Sequence, residues 1–225
     1  MHIGIGQVHE LILEGGILQA RISCSRELIP RPGQYLLAST ASDSPLPVPV
    51  FQTGFSPSGF LAAPILETWR AGQRLYLRGP LGHGFVLPLS ARRVGLIAFD
   101  DLPLRLNGLI EIALEQNAEI ALVCHTSPDD LPDVVEVHPL SALEDVVAWA
   151  DYLAFDIARE NLHELKRRLG ERGQAPAGKE AQVLIRTPIV CGGIAECGVC
   201  AVMLESAWKF ACKEGPVFKM WPLMG

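Results

Sequence analysis

Four of the six cysteines in this chain lie between positions 191 and 212. They read Cys191-Gly-Gly-Ile-Ala-Glu-Cys197-Gly-Val-Cys200, followed after an insert by Cys212, so the spacing is C-x5-C-x2-C-x11-C. The thiolate is the metal-binding form of cysteine, and soft sulfur selects zinc or iron–sulfur iron. A [2Fe–2S] cluster takes four cysteines, and one common spacing is C-x4-C-x2-C with a distant fourth ligand. The present loop has one residue more between its first two cysteines. Gly192, Gly193 and Gly198 suit the same chemistry, because glycine accepts positive φ and its free N–H groups can face sulfide. The expectation is a [2Fe–2S] cluster on Cys191, Cys197, Cys200 and Cys212. Structural zinc commonly draws on two separated pairs, and here there is one C-x2-C pair, Cys197 and Cys200. Zinc and two disulfides remain the alternatives.

The rest of the composition narrows the setting. The chain has 225 residues, 49% of them hydrophobic, and a formal net charge of −6. That is enough apolar material for a packed core. Net acidity argues against nucleic acid as a partner. No apolar run reaches roughly 18 residues, so no membrane span is expected. Met1-His2-Ile3-Gly4 does not open a signal peptide, which implies a reducing, cytoplasmic location where clustered cysteines are metal ligands more often than cross-links. Cys24 and Cys124 sit in apolar, strand-like stretches and read as core residues. His125 and His138 lack metal-site spacing. There is no Gly-x-Ser-x-Gly elbow and no phosphate-binding glycine loop, so no catalytic residues are assigned.

These cysteines need a scaffold. Residues 1–90 read as a small β-barrel, with candidate strands Ile3–Leu13, Ile17–Cys24, Gln34–Ser39 and Arg74–Arg78. Breaks fall at Gly15-Gly16, Arg31-Pro32-Gly33 and Ser56-Pro57-Ser58-Gly59. The proline-rich run Ser44–Val50 is expected to lie outside any central strand. Residues 91–175 alternate strand and helix, the pattern of a helix-covered parallel sheet. Strands are expected at Val94–Phe99, Ala118–Cys124, Val134–Val137 and Tyr152–Phe155. Helices are expected at Leu104–Gln116, Ala142–Ala148 and Asn161–Arg168. Gly170–Lys179 reads as a linker. Residues 176–225 form the cysteine module, with a strand at Gln182–Arg186 and a hairpin of Ala201–Leu204 and Trp208–Cys212 around Glu205-Ser206. Trp208, Phe218 and Trp221 flank the last cysteine and are expected to shield it.

Three stretches carry a family resemblance. They are Pro32-Gly33-Gln34-Tyr35, Gly79-Pro80-Leu81-Gly82-His83-Gly84-Phe85 and Cys212-Lys213-Glu214-Gly215-Pro216-Val217-Phe218. With the upstream cysteines, they resemble the electron-transfer subunit of dihydroorotate dehydrogenase, in the ferredoxin–NADP reductase superfamily. Related subunits of some hydrogenases and sulfide dehydrogenases are similar. The resemblance implies a barrel that binds FAD, an α/β unit that binds NAD, and a cluster that passes electrons to a catalytic flavin subunit. Two motifs depart from it. The family's Arg-Pro-Phe/Tyr-Ser flavin motif falls on Pro49-Val50-Phe51-Gln52, which keeps Phe51 as a flavin contact and lacks the arginine clamp. Arg70 or Arg78 would have to replace it. The family's glycine-rich nucleotide loop falls on Ala98-Phe99-Asp100-Asp101-Leu102, with carboxylates where phosphates would sit. Asp100 and Asp101 read otherwise as a helix N-terminus.

The sequence thus implies an iron–sulfur electron-transfer subunit rather than a stand-alone enzyme. It would work in a hetero-oligomeric oxidoreductase complex with a catalytic, flavin-containing partner. NAD(P) is not expected, and FAD is an open question. An FAD-containing reductase subunit and a non-redox subunit holding zinc are the competing readings.

Overall fold

The computed structural model describes residues 1–41, 46–128, 131–170, 179–204 and 207–221. Apolar residues at alternate positions before residue 82 fold into six antiparallel strands. They are β1 (His2–Glu14), β2 (Ile17–Ser23), β3 (Tyr35–Ser39), β4 (Val48–Ser56), β5 (Gly59–Ala63) and β6 (Arg74–Leu81). Their order is β1-β2-β5-β4-β3-β6, and β6 returns to β1, so the barrel closes and leaves no edge. Val8, Ile22, Leu36, Val50, Phe60 and Leu75 fill its interior, with Trp69 fully buried among them.

The barrel is closely drawn at Gly59, which pairs with Ser23 and Ser56. A Cβ there would lie 1.9 Å from the Ile22 carbonyl oxygen, a backbone atom that cannot swing aside. Gly59→Ala is expected to destabilise the fold by about 3 kcal/mol. Urea unfolding measures this, and an unchanged midpoint would contradict the tight β2–β5 approach.

One expectation fails here. Pro49 lies inside β4, opposite Leu37 of β3. A barrel strand tolerates it because β5 ends at Ala63, opposite Phe51. Pro49 therefore sits beyond the reach of β5, where a missing N–H breaks no ladder on that side. Ser44 and Pro45 lie outside the described residues.

The second half alternates as expected. Strands β7 (Arg93–Ala98), β8 (Glu119–Val123), β9 (Val135–His138), β10 (Tyr152–Ala158) and β11 (Glu180–Arg186) pair in parallel, in the order β11-β10-β7-β8-β9. Helices α1 (Asn107–Glu115), α2 (Leu143–Trp149) and α3 (Leu162–Leu169) supply the crossovers. The first turn expected for α1 is instead a 3₁₀ turn over Pro103–Leu106.

The hairpin of β12 (Ala201–Leu204) and β13 (Ala207–Phe210) forms as expected, while residues 171–178 of the expected linker and Glu205-Ser206 of the turn are not among the described residues. In this half of the chain the strand not foreseen is β14 (Val217–Lys219), antiparallel to β11, which makes the sheet mixed rather than purely parallel. Three residues are too few for their alternation to be read. Its consequence is large. β11 and β14 are neighbours, with Val183 opposite Phe218, so all four clustered cysteines lie on one excursion anchored at both ends in the sheet.

Candidate metal centre

The excursion leaves β11 at Arg186 and turns through Gly192, Gly193 and Gly198, whose φ angles are +65°, +79° and +73°. Each needs a left-handed backbone that glycine adopts without strain. Ala195 takes the same conformation, which nothing in the sequence signalled. Cys191 is half-buried, Cys197 is exposed, and Cys200 and Cys212 are buried.

The thiols are electrostatic neighbours: Cys197 acts on Cys191, and both Cys200 and Cys191 act on Cys212. Desolvation would raise the Cys191 thiol, but backbone N–H groups of Glu196, Ile194 and Cys197, together with the Cys197 thiol, outweigh it and hold the group near about 6. Burial, then the neighbouring Cys200 and Cys191, pushes Cys212 up to about 12. Among the described residues, no group of three or more His, Cys, Asp or Glu side chains is spaced to hold a metal ion.

The barrel holds this loop from below. The Tyr35 hydroxyl donates to the Cys212 carbonyl at 2.8 Å, and the Arg78 guanidinium donates to the Gly192 carbonyl. Burial, then Cys212, Cys200 and Cys191 in turn, raises the Tyr35 phenol above its ordinary value, so it stays a donor. Gly193 packs so close that a Cβ would lie 2.9 Å from the Tyr35 oxygen. Tyr35→Phe removes the partner of a buried carbonyl and is expected to cost about 1–2 kcal/mol. Urea unfolding checks it, and a loss of a few tenths or less would show that the bond contributes nothing.

Two expectations about the surroundings need correction. Trp208 does not shield the cysteines, because it stands 62% exposed on the hairpin opposite Met203. Phe218 is buried, and Trp221 is half-buried, its indole N–H on the Lys179 carbonyl at 3.2 Å. The two candidate arginines already make backbone contacts: Arg78 donates to the Gly192 carbonyl of the cysteine loop, and Arg70 to the Glu67 and Trp69 carbonyls. Phe51 is buried against Tyr35, with ring centroids 5.8 Å apart. Gln52, where the flavin motif has serine, faces Gly108 with both amide atoms unpartnered. The residues at this motif therefore do not fit an FAD held in the family's manner. Cys124 is core, as expected, while Cys24 is half-buried at the barrel's rim.

The carboxyl ends of the parallel strands hold a charge network that the sequence reading did not foresee. β7, β8 and β9 progress one way and β10 returns to the other side of β7, so the topological switch point lies between β7 and β10. Asp156 of β10 is 1% exposed there. Its two carboxylate oxygens accept from Arg105 Nε at 2.8 Å and Arg186 Nε at 2.9 Å. Arg105 also reaches Asp101 at 2.7 Å, Arg186 pairs with Asp100, and Asn161 donates to Asp100 at 2.6 Å. Asp100 and Asp101 are thus members of an internal ion cluster, not residues of a helix N-terminus. The signal available was charge inside apolar runs: Leu104-Arg105-Leu106 and Phe155-Asp156-Ile157.

No family model matches the sequence, and no curated protein matches it. Solved structures do. One is described as an NADH-dependent reduced ferredoxin–NADP oxidoreductase of flavin-based electron bifurcation. It matches with a TM-score of 0.70 at 16% identity, over 96% of this chain and 88% of that one. The ferredoxin reductase of carbazole 1,9a-dioxygenase matches with a TM-score of 0.58 at 16% identity, over 75% of this chain and 63% of that one. The FAD/NAD-binding domain of nitric oxide dioxygenase from Vibrio cholerae O1 biovar El Tor matches with a TM-score of 0.55 at 15% identity, over 81% and 98%. The fold is that of the ferredoxin reductases. No helix among the described residues is long and apolar enough to cross a membrane.

Proposed function

We propose that the chain is an iron–sulfur electron-transfer subunit of an oxidoreductase complex. It would carry one [2Fe–2S] cluster on Cys191, Cys197, Cys200 and Cys212. The observation that carries this reading is the excursion itself: all four cysteines lie on one loop anchored at both ends by β11 and β14 and turned by glycines at positive φ. A [2Fe–2S] cluster takes four cysteine thiolates, whereas structural zinc commonly draws on two separated pairs. When bound, such a cluster supplies one-electron chemistry. The chain's own residues shape its setting. N–H groups of Ile194, Glu196 and Cys197 face Cys191, and that of Ala195 faces Cys212. Such donors to ligand sulfur help to set a potential. Tyr35 and Arg78 fix the loop on the barrel.

Filling of the switch-point crevice supports a protein, rather than a dinucleotide, as redox partner. Ligands of open α/β sheets bind in that crevice. Here three carboxylates occupy it against two arginines, Arg105 and Arg186, so a pyrophosphate would meet an occupied crevice of net negative charge. Cys197 at the surface leaves the module accessible to a partner subunit. The cysteine module, residues 176–225, would be the working part, with the barrel of residues 1–90 and the α/β unit of residues 91–175 as its mount.

The competing reading, an FAD-containing reductase subunit, rests on the shared fold. Pro49, the buried Phe51 and the engaged arginines speak against it. The deciding experiment is dithionite titration of anaerobically purified protein, followed by electron paramagnetic resonance. About one electron taken up per chain, with a matching spin and no flavin bleaching, is expected. Uptake of two further electrons by a bound flavin would favour the reductase reading.

A further inference from the structure

We propose that the cleft where the barrel, the sheet and the cysteine excursion meet binds a small organic anion with an apolar body. It runs along the edge strand β14, whose Val217 and Lys219 lie opposite Leu184 and Gln182 of β11. Its volume is about 450 Å³, within the range of small-molecule sites. Three chain segments form its walls: the Arg31–Gln34 turn, the Gly82–Val86 loop and the Glu214–Lys219 segment.

The walls are fixed before any ligand arrives. Phe85 N–H donates to the Pro32 carbonyl at 2.8 Å, and Gln34 Nε2 to the Gly82 carbonyl at 3.0 Å. His83 N–H donates to the Gly215 carbonyl at 2.6 Å, and its Nδ1 lies 2.8 Å from the Glu214 carbonyl. A carbonyl only accepts, so Nδ1 carries the proton and Nε2 is left without a partner among the described residues. Gln182 Oε1 already accepts from Val86 N–H and from the Tyr152 hydroxyl.

The groups left open are cationic over an apolar floor. Phe85, Val217 and Phe218 form the floor, each below 9% exposure. Arg31 and Lys219 line the cleft, and neither has an acidic partner among the described residues. The Glu214 carboxylate does not cancel them, because Lys209 Nζ at 2.8 Å and Phe210 N–H at 2.9 Å already occupy it. Two cations without acidic partners among the described residues thus line one cleft in a chain of net charge −6. The headgroup they fit is a carboxylate or a phosphate, and the floor favours a ring or short alkyl body.

The site does not depend on the cluster, so its failure would leave the electron-transfer reading standing. Isothermal titration of the full chain with phenyl phosphate, benzoate and inorganic phosphate tests it. Phenyl phosphate is expected to bind about tenfold more tightly than inorganic phosphate, because burial of its ring adds affinity. Comparison with benzoate then assigns the headgroup, and saturable binding of either ring compound supports the site. The Arg31→Gln/Lys219→Gln variant is expected to weaken binding about tenfold, as two charge-assisted contacts are lost. Both side chains are exposed, so the variant keeps its fold, and Arg74→Gln on the far side of the barrel serves as the control. No saturable heat with either ring compound, equal affinity for phosphate and phenyl phosphate, or binding that survives the double substitution would overturn the proposal.

Discussion

Arg105→Met is expected to lower the unfolding free energy by about 3–5 kcal/mol, the range for removing one partner of a buried ion pair. Arg105 is 6% exposed and holds Asp156 and Asp101 together. Methionine fills similar volume, so the loss is not mainly a cavity. It is the cost of leaving buried carboxylate charge with one arginine, Arg186, instead of two. Desolvation already raises the Asp156 carboxyl to about 6 even with Arg105 beside it. Arg105→Lys should fall between wild type and methionine, because an ammonium keeps the charge but cannot span two carboxylates in a fixed fork. Urea unfolding with a constant m-value measures both variants. A loss below about 1 kcal/mol for methionine would place Arg105 among ordinary surface pairs and remove the argument that the crevice is firmly filled.

The second large effect concerns the excursion. Cys212→Ser and Cys200→Ser are each expected to abolish the visible chromophore and to reduce bound iron from about two per chain to a small fraction of that. Serine keeps the size, but its hydroxyl is a poor substitute for the soft thiolate. Cys212 lies against Tyr35, whose hydroxyl fixes its carbonyl, so the backbone should hold its course after the substitution. Cys24→Ser and Cys124→Ser are the controls, since both cysteines lie outside the excursion. Their spectra should match wild type. Retention of the full spectrum in Cys212→Ser would remove it from the ligand set, and loss in Cys24→Ser would point to a different site.

The barrel and the alternating sheet were legible because their signals are local. Alternation in Ile17–Ser23 and the breaks at Gly15-Gly16 and Ser56–Gly59 each specify a strand or turn within a few residues. The cysteine spacing was legible for the same reason. What the sequence hid was non-local. Pro49 looked like a strand breaker until the end of β5 at Ala63 was known. β14 was too short to announce itself, yet its pairing with β11 returns the excursion to the sheet. Tyr35 reaches Cys212 across 177 positions, and no local pattern couples them. Asp100 and Asp101 had two local readings, a phosphate-repelling turn or a helix start. Arg186, some 85 residues away in sequence, decided for an ion cluster.

The most direct test of the central claim is composition. Iron, acid-labile sulfide, zinc and released flavin would be quantified on one sample of anaerobically purified protein, together with its visible spectrum. The account predicts about two irons and two sulfides per chain, with no stoichiometric flavin. Stoichiometric zinc, or no metal at all, would contradict it.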